Sequence, residues 1–196
     1  MTSIVRSRAS AALAAAFLAT SSLVFASAPS LAQDTSVTVG GAPMLRSKNI
    51  VENASNSKDH TTLVTAVKSA GLVDTLSGKG PFTVFAPTNA AFEKLPKGTV
   101  ETLVKPESKA ALTGILTYHV VPGQFSAADL AKQVKDGGGK AMLKTASGGQ
   151  LTIMDAGAGK LSVTDAKGGK SMVTIADVNQ SNGVVHVVDT VLMPQG

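Results

Sequence analysis

The sequence has no cysteine and no tryptophan, one tyrosine, and three histidines in 196 residues. Without cysteine there is no disulfide, no lipid-bearing cysteine, no thiol nucleophile and no thiolate zinc site. The histidines, His60, His119 and His186, lie far apart, with no pair at the i, i+4 spacing of a helical metal site. No Gly-x-Ser-x-Gly frame accompanies them, so a serine hydrolase lacks its usual setting. Gly137-Gly138-Gly139 lacks the strand-to-helix context and the Lys-Ser/Thr of a phosphate loop. The expectation is a protein with no catalytic residues, no metal and no cofactor. Aromatic rings and dense basic runs are also scarce, which leaves no base-stacking platform and argues against a nucleic-acid partner.

The N-terminus is the richest hydrophobic run. Arg6 and Arg8 precede an uncharged stretch from Ala9 to Ala28, and Ser30-Leu31-Ala32 follows with small residues at the positions a signal peptidase reads. Residues 1–32 therefore read as a secretory signal peptide cut after Ala32, and the protein as secreted or periplasmic. Removing 32 residues from 196 leaves 164, and losing two of 18 basic residues against 13 acidic ones leaves a net charge of +3. That length fits one domain able to bury about 70% of the surface of its unfolded chain. No transmembrane anchor is expected after cleavage. The last residues, Pro194-Gln195-Gly196, carry no hydrophobic tail, so surface attachment would be non-covalent or through a partner.

Residues 33–46 are polar and small, with Gly40-Gly41 and Pro43, and read as a flexible lead-in to a domain at 47–194. Apolar residues at helical spacing predict helices near Ser47–Ser57, Thr61–Ala70 (with Asp59 as cap and Gly71 as stop), Asn89–Leu95, Thr99–Val104, Pro106–Thr117 and Ser126–Val134. His60, at a helix start, is expected as a surface or capping side chain. From Lys140 the period changes to two, giving five strands separated by glycine turns, with Asn182-Gly183 the sharpest turn signal. Helices dominate the first half and antiparallel strands the second, an α+β layout.

Between the early helices lies Gly80 to Phe92. Phe82, Val84 and Ala86 alternate with Thr83 and Phe85, so both faces of this strand carry a large ring and both should be covered. Pro87 ends the strand, and Thr88 is placed to cap the next helix through the amides of Ala90 or Ala91. The last strand is similar, with Val185, Val187 and Val191 on one face and Val184, Val188 and Leu192 on the other. His186 alternates with valines and is expected to be buried on a backbone carbonyl or carboxylate. Asp189 falls on the opposite face from it.

Three segments carry a family resemblance. Thr83–Phe92 resembles the first signature of fasciclin domains, Asn182–Asp189 their second, and Leu116-Thr117-Tyr118-His119-Val120-Val121-Pro122-Gly123 the Tyr-His segment between them. Order and spacing agree, and the match runs from about Asn49 to Pro194. The chain resembles the single-domain secreted bacterial type. The resemblance implies a fasciclin-like wedge of two β-sheets with a layer of short helices, a role in cell adhesion or cell-surface and matrix association, and no known catalysis. The implied partner is a cell-surface protein or polysaccharide.

In animal members the Tyr-His segment and an Asp-Ile pair are linked to integrin binding. Here only Asp129-Leu130 and Asp177-Val178 place an aliphatic residue after Asp, so that role does not carry over. Tyr118-His119-Val120-Val121 reads as a short strand ended by Pro122-Gly123, and Tyr118 and His119 remain the candidate binding pair. The competing reading is that Tyr118 packs and donates its hydroxyl while His119 makes a satisfied polar contact. The alternative function is a periplasmic carrier of a small apolar or lipid-like ligand held between sheet and helices, motivated by a Val/Leu/Ala-rich chain with few aromatic plugs.

Overall fold

A computed structural model describes residues 36–195. The expected signal peptide lies outside the described residues. A short hairpin comes first, β1 (Val37–Val39) paired antiparallel with β2 (Ala42–Met44). Helices α1 (Ile50–Asn56), α2 (Thr61–Ala70) and α3 (Val73–Ser77) follow. Strand β3 (Phe82–Pro87) runs into α4 (Asn89–Glu93), then α5 (Thr99–Leu103) and α6 (Lys109–Tyr118). Strand β4 (Val120–Pro122) and helix α7 (Ala127–Asp136) lead to β5 (Lys140–Lys144), β6 (Gln150–Asp155), β7 (Leu161–Thr164), β8 (Lys170–Gln180) and β9 (Gly183–Val188).

The seven later strands form one sheet in the order β4-β3-β9-β8-β7-β6-β5. Only β3 and β9 pair in parallel. The two-sheet wedge is made by bending this sheet at β8, whose pairing with β9 is interrupted by register shifts between Val173 and Val178. Asp177 sits at the bend with φ +56°. The amide of Ala146, just past β5, donates to Val120 in β4 at 2.7 Å, so the two ends of the sheet come together.

Two apolar clusters follow from the alternation. Val84, Ala86, Val185 and Val187 turn toward α1, α2 and α6 and join Leu63, Val67, Leu112 and Leu116. Phe85 and Val188 turn the other way, inside the wedge, and join Leu143, Leu151, Ile153 and Val163, with Leu130 and Val134 of α7 closing it. The central strands β3 and β9 are thus covered on both faces, as their sequences require.

Residues 33–46 are not a flexible lead-in throughout. Residues 37–44 form the β1–β2 hairpin, because Gly40 and Gly41 both take positive φ and make the turn, and Val39 and Met44 are buried against the first cluster. The Asn182-Gly183 signal also acts differently from the expected turn. Gln180 pairs with Gly183, so Ser181 and Asn182 form the turn and Gly183 opens β9. Gly183 is required by proximity: a Cβ there would overlap the Phe82 carbonyl.

The starts of α1, α2, α4 and α7 are held by side chains. Asn49 caps α1 in a reciprocal capping box with Glu52. Thr88 accepts from the amide of Ala91 at 3.3 Å, as its position predicts. Asp59 does not cap α2. Instead the side-chain carbonyl of Asn89 accepts from Thr62 N at 3.0 Å, tying the signature corner to the helix layer.

Phe85 is fully buried with its ring against His186. Phe85→Ala is expected to cost about 3–5 kcal/mol in a urea melt. A loss below about 1 kcal/mol would show that the strand–helix corner does not anchor the core.

Candidate functional site

The Tyr118-His119 pair does not lie on a strand. The run of β-branched and aromatic residues after Leu116 reads as extended, but α6 continues through Tyr118 and His119 is its C-cap, with helical backbone. The amide of His119 stays bonded to the Ile115 and Leu116 carbonyls, while its own carbonyl accepts from Phe85 N at 2.9 Å. The helix therefore hands over to the sheet at His119.

Both side chains are interior, Tyr118 fully and His119 with 3% exposure. The Tyr118 hydroxyl donates to the Gln150 carbonyl at 2.6 Å and accepts from Ala166 N at 2.9 Å, bridging the start of β6 to the β7–β8 turn. Gly149 makes room for it, since a Cβ there would lie 2.6 Å from the ring. Burial raises the phenol pKa. An open groove of about 600 Å³ runs past this residue, with Gln150, Asp165 and Gln195 among its polar walls.

His119 faces the other compartment. Its Nδ1 lies 2.8 Å from the Ile115 carbonyl and its Nε2 accepts from Leu192 N at 3.0 Å, which together require the neutral ring protonated on Nδ1. Burial pushes its pKa down to about 4. Next to it, Asp165 accepts from Met193 N at 2.9 Å and from the amides of Lys167 and Gly169. Tyr118, His119 and Asp165 thus lock the C-terminal segment and the β7–β8 turn to α6. In this arrangement the polar groups of Tyr118 and His119 are turned inward and already have their hydrogen bonds.

His186 behaves as its alternation predicts, with Nε2 donating to the Phe125 carbonyl at 2.9 Å and Nδ1 accepting from Asp177 N. Asp189, on the opposite face, accepts from Met172 N at 2.8 Å and pairs with Lys94 at 3.4 Å. His60 is not a surface side chain. The 3-10 turn Lys58–His60 drives the ring inward, to 4% exposure. Its Nδ1 lies 2.9 Å from Ser57 Oγ, and its Nε2 makes no hydrogen bond to a described residue. Burial lowers its pKa, outweighing the opposing influence of the Asp59 charge and of the Ala86 backbone.

His60 and His119 border an apolar slot of about 50 Å³ between sheet and helices, closed by Val39, Met44 and Ile50. Pockets for drug-sized ligands run to roughly 300–1,000 Å³. The slot holds a few atoms and does not fit an acyl chain, so it gives the carrier alternative no support.

The histidines are not brought together, and no His-acid-nucleophile chain forms among them. No group of three His, Asp or Glu among the described residues could hold a metal ion. Sequence reasoning missed Asn53, Gln180 and Asn182 as structural centres. Asn53 is buried, makes a two-way bond with the Leu45 backbone and donates to Gln180. Buried amides leave no periodic signal in the sequence.

The family described as Fasciclin domain matches residues 58–194. A Synechocystis protein, sll1483, is 42% identical over 162 residues, covering 82% of each chain. The Mycobacterium bovis proteins named Immunogenic protein MPB70 and Cell surface glycolipoprotein MPB83 are 36% and 35% identical over 72% of this chain, covering 66% and 58% of their own lengths. Among solved structures, the FAS1 domain pair of the insect cell adhesion molecule Fasciclin I superposes with a TM-score of 0.68 at 20% identity. It covers 76% of this chain and 52% of that one, a likeness of fold. No helix among the described residues is long and apolar enough to cross a membrane.

The depressed His119 pKa sets a pH dependence. Above pH 6.5 neither folded nor unfolded His119 holds the extra proton. Between 6.5 and about 4 the unfolded chain takes it up and the folded chain does not. Stability is therefore complete above 6.5, falls as pH falls through that window, and loses about 3 kcal/mol from this group by pH 4. Burial lowers His60 and His186 in the same direction. Urea melts from pH 7 to 4 should show the fall, and His119→Gln should reduce its slope. An unchanged slope would remove His119 as a source.

Proposed function

This chain belongs to the fasciclin domain family, and from that membership we propose that it is a non-enzymatic, extracytoplasmic protein acting in cell adhesion or in association with the cell surface and its matrix. The carrying observation is the joint match to relatives that include a protein named as a cell surface glycolipoprotein. The adhesion molecule Fasciclin I supports the same reading at the level of fold. Its partner is a cell-surface protein or polysaccharide. The leader-like segment at 1–32 fits export to the periplasm or medium.

The interior geometry agrees with a binding role. Tyr118 and both buried ring nitrogens of His119 and of His186 are committed to backbone groups, leaving them unable to move protons on a substrate without breaking the fold. Tyr118 and His119 contribute as positioning residues, holding the C-terminal segment and the wall of the groove. Any partner meets the outside of the domain.

The test is a deletion strain with fractionation of the complemented host. The expected outcome is protein in the periplasm, envelope or medium, and a several-fold loss of surface attachment or biofilm mass on deletion. Cytoplasmic protein, or attachment unchanged by deletion, would overturn the reading.

A further inference from the structure

The half of the sheet made by β5 to β7 and the start of β8 buries one face against α7 and the wedge interior. Its other face has an unusual make-up. Register places Lys140, Met154, Ser162 and Met172 in one row across β5, β6, β7 and β8. Met142, Thr152, Thr164 and Lys170 form the next, and Lys144 sits opposite Gln150. Three of the six methionines of the chain share this face with three lysines, and no carboxylate occupies any of these positions. Met142 is 65% exposed and Met154 37%, the large hydrophobic side chains most open to solvent among the described residues. None of Lys140, Lys144 and Lys170 makes an ion pair with a described residue. The acids nearest in sequence are occupied, Asp136 with Lys132, Asp155 with the amide of Gly157, and Asp165 with three backbone amides.

We propose that this face docks the protein onto an anionic phospholipid surface. The three lysines meet the headgroup phosphates, and Met142 and Met154 enter the boundary between headgroups and acyl chains. Protection of a sheet edge explains lysines on β5. It does not explain Met172, which pairs with Ser162 of β7 on one side and whose carbonyl accepts from Asp189 N on the other. Unpaired cations attract an anionic layer from a distance, and unbranched thioethers adapt to a fluid partner better than to a rigid one. The face carries no aromatic ring on which a sugar would stack, which favours lipid over an acidic polysaccharide. The inference rests on the surface-association reading and names a surface for it.

The test uses the protein recovered from a secreting host, with its mass recorded. It is sedimented with equimolar phosphatidylcholine–phosphatidylglycerol vesicles and with phosphatidylcholine alone, at low and high salt. Binding is expected to the anionic vesicles only and to fall with salt. K140Q/K144Q/K170Q should lower the partition coefficient by roughly a hundredfold, about fivefold per lysine. M142T/M154T should lower it by about tenfold and leave the salt dependence unchanged. Melting curves matching the parent establish that both variants are folded. No binding to anionic vesicles, or equal binding by parent and variants, overturns the proposal, as does binding to polygalacturonate in place of vesicles. Protein that stays with the cell envelope while ignoring vesicles overturns this face and leaves the surface-association reading standing. Vesicle binding together with surface attachment unchanged by deletion does the reverse.

Discussion

The parallel pairing of β3 with β9 is the constraint on which the rest of the structure depends. These strands lie about a hundred residues apart in sequence, and they form the wall between the two apolar clusters. Asn182 fixes their start. Its carbonyl accepts from Phe82 N at 3.1 Å, its side-chain carbonyl accepts from Ile50 N at 3.1 Å, and its amide donates to Leu76 at 2.7 Å and Gly78 at 3.0 Å. One side chain therefore joins the start of α1, the end of α3 and the mouth of the sheet. Gly80 and Gly183 let the backbones approach at that point, where a Cβ on either would overlap a carbonyl. A one-residue slip would exchange the faces of β9 and bring His186 into the helix-side cluster.

Buried polar groups repeat this logic around the molecule. Thr83 donates to the Gly123 carbonyl and accepts from Phe125 N, inside the wedge. His186 reaches the Phe125 carbonyl from the neighbouring strand. Asp165 satisfies three backbone amides, a solution that keeps a nearly buried carboxylate tolerable without a cation. Leaving such groups unpaired costs more than their bonds gain, so each favours one arrangement of loops over its competitors. That specificity is also why these residues make poor reagents: their lone pairs and protons are already used.

Much of this was legible in the residues themselves. The two-faced alternation of Phe82 to Ala86 and of Val184 to Val188 showed strands covered on both sides, and Gly71 stopped its helix in the left-handed region as expected. The failures have specific causes. Residues 37–44 are small and polar by composition, yet two glycines and two buried apolar side chains suffice for a hairpin once a helix layer lies beneath. Tyr118 to Val121 has strand propensity, but α6 holds Tyr118 through hydrogen bonds made earlier in the helix, and tertiary packing overrides propensity. Asn182-Gly183 carries the strongest hairpin signal, and its turn lies one residue earlier because Gly183 is needed against Phe82. His60 looked like a cap and became a core ring when the 3-10 turn pointed it inward.

The same alternation separates what holds the fold from what is left for function. Around β3 and β9 both faces are consumed by packing, and the helices cover the outside of that half. On β5 to β7 and the start of β8 one face is consumed by α7 and the wedge interior, whereas beyond the bend Ile175 and Val178 of β8 join the helix-side cluster. Selection for stability alone would fill such outward positions with threonine, glutamate and mixed charge. Methionine beside lysines that make no ion pair with a described residue, continuing as far as Met172 of β8, needs a further reason. The interior gives the domain its rigidity, and the outward face of β5 to β8 is the sheet surface on which a partner finds charge and apolar area together.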